Sequence, residues 1–398
     1  MKVAHIFSGD PNSGAAIGTI NLCQGLIDKG LNLKLFNDQF NFFIKEKKIS
    51  FTREKKKFLK SSYYNALDRL FFFGKKKIKF SSGILRNPTL DIDELNNFDL
   101  IHLHWINNGF FEINNLLNIK VPIIWTIRDM WPFTGGCHYT IGCEKFMVEC
   151  ENCPNFKSYI PNFDPINKVY TNKKKIFDLV DLNLVPISKW LSNEIKKSNL
   201  MNNQAIFQIY NCVDYNSFYQ EDMSLARQKL SLPKDKIIIL IGSQNIKDKL
   251  KNNLKLLKII KNLDERYQIV SFGKNPFENK KIIHFGFVKE KKIMRELYSS
   301  ANMFLTFSKQ EAFGKTLVES LRCGTPVVSN YNFSSEEIIS HKENGYIVRN
   351  DNFLDGINWV ERNLNKQKKK IEIKIKENFS IQYISQKYFE LYEKIIRG

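Results

Sequence analysis

Short apolar runs alternate with amphipathic stretches along almost the whole chain. Residues 2–7 read as a first strand. The small-residue turn SGDPNSGAA then leads into an amphipathic helix at 17–29, stopped by Gly30, and 31–36 reads as a second strand. Further strands are expected at 99–105, 121–127, 181–186, 237–241, 267–272 and 282–288. Two more, 303–307 and 325–329, flank a helix at 315–322 whose stop is Cys323-Gly324, and 382–395 reads as a terminal amphipathic helix. Strands alternating with helices predict parallel sheets with helices on both faces. No internal repeat interrupts the pattern.

Composition narrows this picture. With 398 residues, 43% hydrophobic and 26% charged, the chain suits a soluble protein of two or three domains. No apolar run approaches the ~18 residues of a membrane span. The opening MKVAHIF reads as a strand rather than a signal peptide, so a cytoplasmic protein is expected. The net charge of +20 favours anionic partners. Between Arg53 and Phe80 stand ten Lys or Arg against two acids, interleaved with Phe58, Phe71, Phe72, Phe73, Ile78 and Phe80. Such a stretch suits either an anionic membrane surface or a solvated, irregular insertion, and both readings stay open. The lysine run at 366–370 reads as a solvated helix surface. No ribonucleoprotein or zinc-finger motif is present, so nucleic acid is not an expected partner.

The densest chemistry lies between Asn302 and Asn330. Glu311 and Glu319 stand in an E-x7-E spacing around the start of a helix. Behind Gly314 the first helical amides lack partners, which makes the helix start an anion seat. Carboxylates on either side of a phosphate seat can accept hydroxyl hydrogens from both ends of a nucleotide sugar. The letters S-x-x-E-A-F-G-x-x-x-x-E-S-x-x-C-G-T-P-V-V from Ser308 to Val328 closely resemble the donor signature of retaining glycosyltransferases of family 4, which have the GT-B fold.

A second block, VPIIWTIRDMWPFTGGCHY, ends a buried strand at Arg128-Asp129, where open α/β sheets place ligands. It resembles a subgroup of that family that builds colanic-acid and O-antigen polysaccharides, with the pattern T-x-H-D-M-W-P-F-T-G-G-C-H-Y. The family's sugar-contacting histidine is Arg128 here, and arginine binds oxygens without shuttling protons near neutral pH. Cys137, Cys143, Cys150 and Cys153 follow with spacing C-x5-C-x6-C-x2-C, which fits a closed structural zinc site. His102 and His104 share one face of a strand; with no third ligand nearby in sequence, they read as hydrogen-bonded residues. Cys23, Cys212 and Cys323 read as small buried residues.

The resemblance implies two Rossmann-like domains facing across a cleft. Residues 1–200 form the acceptor side, 201–380 the donor side, and the helix within 381–398 crosses back to the first domain. IFQIYNC-VDYNSF resembles the entry into the second domain, with Cys212 at a usual glycine position. In the loop GSQNIKDKLKNN, Ser243 replaces a family arginine while Lys251 keeps the lysine position. HFGFV matches the stretch near which the nucleobase packs, although His284 itself reads as a satisfied strand residue, and GYIV at 345–348 matches a later strand. The implied chemistry moves a sugar from a nucleoside diphosphate sugar to a saccharide acceptor, lipid-linked and at the inner membrane face, with no metal cofactor in catalysis. The implied roles are sugar contacts for Glu311 with the amides around Phe313, Gly314 and Lys315, sugar or phosphate contacts for Arg128, diphosphate contacts for Lys251, the helix amides after Gly314 and the loop at Gly14, and ribose contacts for Glu319.

Overall fold

The computed structural model describes residues 1–71, 74–76, 78–84, 90–375 and 378–398. Of the basic aromatic block, Phe72 and Phe73 lie outside the described residues, as do the side chains of Phe71 and of the lysines at 366–370. The chain forms two compact units, one of residues 1–210 and 384–398, the other of residues 211–383.

In the first unit, β1 (Lys2–Ile6), β2 (Asn32–Phe36), a hairpin of β3 (Phe40–Lys45) and β4 (Lys48–Arg53), β5 (Gly74–Lys76), β6 (Leu100–Leu103), β7 (Ile123–Ile127), β8 (Phe156–Ser158), β9 (Leu182–Pro186) and β10 (Ala205–Ile206) follow in order. Six of them form a parallel sheet in the order β10-β9-β7-β6-β1-β2. Its central strands are buried throughout, as helices on both faces require, and β7 reads IIWTI with every residue inside. Helix α1 (Gly14–Asp28) starts three residues earlier than the apolar pattern indicates. Ser13 is the reason: its hydroxyl accepts the Ala16 N–H at 3.3 Å and caps the first turn.

The basic segment after β4 is not an irregular insertion. It opens with helix α2 (Lys55–Phe71), built from lysines, leucines and an alanine that favour helix.

The second unit contains β11 (Ile237–Asn245), β12 (Tyr267–Lys274), β13 (Ile282–His284), β14 (Met303–Thr306), β15 (Val327–Asn330) and β16 (Gly345–Val348). They form a second parallel six-stranded sheet, ordered β13-β12-β11-β14-β15-β16. β11 runs on past Ile241 because its register against β12 shifts between Gly242 and Asn245, so pairing resumes beyond the irregularity. Ile239, Ile241, Met303, Leu305 and Val328 centre the core of this unit.

The terminal helix Ile381–Arg397 carries Tyr388 and Tyr392 into the first unit. The Tyr392 hydroxyl lies 2.5 Å from His102 Nδ1, and that of Tyr388 lies 2.8 Å from Thr126 Oγ1. No described helix is long and apolar enough to cross a membrane.

Candidate functional site

At the carboxyl end of β14 the chain turns into the helix Lys315–Arg322, the position where open α/β sheets bind ligands. Gly314 caps this helix with φ of 82°, and a Cβ there would stand 2.8 Å from Leu317 Cδ1. Glycine alone meets both demands. No side chain caps the helix start, so its leading amides remain available to an anion.

Charged groups gather at this end. Lys251 forms an ion pair with Glu311 Oε2, and the Lys309 N–H donates to the Leu250 carbonyl at 2.9 Å, tying the lysine's loop to the glutamate's. Glu319 is only 3% exposed. Its Oε1 lies 2.7 Å from Lys315 Nζ, and its Oε2 accepts the Tyr298 hydroxyl at 3.2 Å. The three side chains named from the sequence in this unit for polar contacts, Glu311, Lys251 and Glu319, together with that of Lys315 therefore form two ion pairs around one helix start. Phe313 is different: its ring is buried 5.4 Å from Phe379.

Ser243, in place of an arginine, serves its own loop. Its hydroxyl donates to the Asn245 carbonyl at 2.8 Å and stands 3.4 Å from Asn253 Nδ2. His284 Nδ1 lies 2.8 Å from Ser271 Oγ, a satisfied strand residue.

In the first unit Gly14 is the first residue of α1 and is exposed, and a Cβ added to it would meet nothing. The preceding loop is held by a residue that the sequence pattern did not single out. Asp38 is fully buried, accepts the Gly9 N–H at 2.7 Å and pairs with the Ser8 and Ser61 hydroxyls. Burial pushes its carboxyl above the ordinary range, against the pull of those bonds.

Arg128 is buried at the end of β7. Next to it, Asp129 organises the motif that follows: Oδ2 accepts from His138 Nδ1 at 2.7 Å and from Trp105 Nε1 at 2.9 Å, and Oδ1 accepts the Trp131 N–H at 3.0 Å. Burial opposes the Asp129 charge, but His138 and Lys79 hold its carboxyl below the usual range; burial keeps the His138 imidazole low as well. His138 thus stands between Asp129 at Nδ1 and the Ser81 hydroxyl, 3.0 Å from its Nε2. The order Ser–His–Asp is that of a nucleophilic relay, yet all three residues are buried and their bonds shape the loop.

The histidine pair has a third member that linear spacing could not show. His5 on β1 is the register partner of His102 on β6, and His5 Nδ1 lies 3.0 Å from His104 Nε2. One nitrogen from each of the three lies within 4.8 Å of the other two, the one such cluster of three or more metal-binding side chains among the described residues. His102 spends both nitrogens on Tyr392 and on Thr126, the latter at 2.7 Å. Burial lowers all three histidines, and the Arg128 charge lowers His102 and His104 further. A cation here would have to break those bonds beside a guanidinium, so the cluster is a hydrogen-bonded lock between sheet and terminal helix.

Cys137, Cys143, Cys150 and Cys153 line a single pocket. A hydrogen bond between Cys137 and Cys153 raises the first thiol and draws the second down to about 6. Burial pushes Cys150 up to about 11. Nearby, Lys173 is buried with its Nζ donating to the carbonyls of Trp131 at 2.6 Å and Thr134 at 3.1 Å; burial lowers it to about 7.

Residues 222–377 match the family described as Glycosyl transferases group 1, so the second unit carries a domain of that family. Over 265 residues, 65% of this chain and 64% of the relative, the sequence is 23% identical to WcaC, named as a colanic acid biosynthesis glycosyl transferase, of Escherichia coli (strain K12). The chain spans less than two thirds of the length of the curated relatives it matches. Among solved structures, sucrose-phosphate synthase from Thermosynechococcus elongatus superposes with a TM-score of 0.68 at 16% identity, covering 100% of this chain and 99% of that one. Anabaena HepE in complex with UDP-glucose does so with 0.62 at 14%, covering 99% of this chain and 100% of that one. The fold is the two-domain α/β arrangement of the GT-B type.

Proposed function

We propose that this chain, with its group 1 glycosyl transferase domain, moves a sugar from a nucleoside diphosphate sugar to a saccharide acceptor with retention of configuration. The observation that carries the reading is the helix start at Gly314, where open amides meet Lys251, Glu311 and Glu319 inside the matched residues. The amides and the Lys251 ammonium neutralise the leaving diphosphate, which lowers the barrier electrostatically with no divalent metal. Glu311 accepts sugar hydroxyls and Glu319 accepts ribose hydroxyls. Each carboxylate exchanges an existing ion pair for ligand bonds. Arg128 is assigned to sugar or phosphate oxygens from its place in the motif alone. The likeness to Anabaena HepE, solved with UDP-glucose, makes uracil the first base to try.

The acceptor is proposed to be a lipid-linked saccharide; the WcaC likeness supports a role in polysaccharide building. The first unit offers a surface for an anionic membrane at the cytoplasmic face. Phe43 is 51% exposed and Leu59 66%, with Ile44, Phe51 and Tyr63 also outward. Around them, residues 43–63 hold eight Lys or Arg against two Glu.

Calorimetric titration with UDP, GDP and ADP tests the donor site. Selective binding of one nucleotide, weakened in Glu319→Ala, supports it; no binding to any of the three overturns it. A second reading, a nucleotide-binding scaffold without turnover, is motivated by Ser243 and Arg128 at family positions. It predicts binding in the same titration but no donor consumption with any saccharide acceptor.

A further inference from the structure

The loop between β7 and the helix Pro165–Phe177 carries little regular structure, only two single-turn 3-10 helices and the three-residue β8. Phe156, Ile166 and Val169 form one apolar cluster at its end, with Cys150 and Cys153 packed against it. Trp131, Phe133 and Phe146 are buried in the loop as well, but between residues 141 and 155 Phe146 is the only buried residue. All four cysteines of the C-x5-C-x6-C-x2-C pattern nevertheless converge on one pocket, together with Lys145 and Phe146.

Three further features favour sulfur as ligand there. The Gly135 N–H donates to Cys150 Sγ at 3.2 Å, and the amides of Asn155 and Phe156 donate to Cys153. Amides aimed at sulfur stabilise thiolate charge. Gly135 itself sits so close that a Cβ would lie 2.7 Å from Cys150 Cβ, which shows how tightly the two strands of the loop approach. Lys173, buried with its Nζ on the Trp131 and Thr134 carbonyls, is an amine that a nearby anionic cluster would hold protonated. A zinc tetrathiolate carries a net charge of about −2, so a cation and several amides are the surroundings it needs.

We propose that Cys137, Cys143, Cys150 and Cys153 bind one structural zinc ion as thiolates and thereby staple this loop. Binding releases the four thiol protons to solvent, and the metal stays redox-inert and fully coordinated. The staple holds the segment that Asp129 and His138 shape, directly after Arg128.

Elemental analysis of the reduced, full-length protein is the test, with zinc release by a mercurial followed with a chromogenic chelator. About one zinc per chain is expected, lost in Cys143→Ser and Cys150→Ser and kept in Cys23→Ala and Cys212→Ala. Should the serine variants fail to fold, cobalt substituted into the wild type is read instead, and thiolate-to-cobalt charge transfer with strong tetrahedral bands is expected. Zinc-free protein whose four thiols react freely with Ellman's reagent overturns the proposal. So does a Cys137–Cys153 disulfide found by mass spectrometry, or a coloured iron–sulfur chromophore. Nucleotide titration reads the donor site separately, so the two proposals fail independently.

Discussion

Glu319 and Lys315 form an ion pair of 2.7 Å across one turn of the helix Lys315–Arg322, with the carboxylate buried and the lysine partly exposed. A buried carboxylate held this way is ready for ligand hydroxyls, because its second oxygen is already fixed by Tyr298 at 3.2 Å. Replacing it by alanine should weaken nucleotide binding by ~1–3 kcal/mol, the range for a lost charged hydrogen bond. Calorimetry checks the affinity. Glu319→Gln, which keeps the shape and an acceptor oxygen, should lose less than Glu319→Ala.

Gly314→Ala tests the helix start. At φ of 82° an alanine costs about 1–2 kcal/mol in backbone strain, and its Cβ would press on Leu317. The expected outcome is a lower urea midpoint and weakened nucleotide binding together, since the displaced amides are the proposed anion seat. Binding unchanged alongside lost stability would remove the amides from the donor site.

Lys251→Ala separates charge from geometry. Without its ion-pair partner, Glu311 stays at the same loop but the diphosphate loses a cation. Binding of a nucleoside diphosphate should weaken more than binding of the nucleoside. Equal losses for both would place Lys251 away from the phosphates.

Tyr392→Phe removes the partner of His102 Nδ1, 2.5 Å away, and leaves a buried nitrogen unsatisfied. A loss of ~1–3 kcal/mol in unfolding free energy is expected. Limited proteolysis should show the terminal helix released earlier than in the wild type.

The buried histidines also make stability depend on pH. Burial lowers His5 to about 3 and holds His102 and His104 well below the ordinary value. In the unfolded chain they titrate near 6.5. Below that pH the unfolded chain takes up protons that the fold refuses, so this contribution is intact above about pH 6.5 and is lost towards the folded values. Each histidine adds a slope of about 1.4 kcal/mol per pH unit in that window. Urea unfolding at pH 7.5, 6.5 and 5.5 measures it, and His5→Gln should flatten the slope. Asp129, whose carboxyl is held low, contributes its own loss only at lower pH, as it passes through its folded value.

The loop and helix around Gly314 were legible because their information is local. A glycine that must adopt positive φ, a helix that begins behind it and carboxylates at fixed offsets are properties of one short stretch, and the βα alternation likewise follows from nearest-neighbour periodicity. Long-range pairing was not legible. His5 and His102 meet through strand register, and Tyr392 reaches His102 across 290 residues of chain, so no spacing rule connects them. Ser81 and Asp38 became anchors for the same reason, since a buried polar group takes whichever partner the fold carries to it. The residues determined which chemistry each segment could offer. Only the tertiary structure decided that Lys251 meets Glu311, that four cysteines share a pocket, and that three histidines lock the last helix in place.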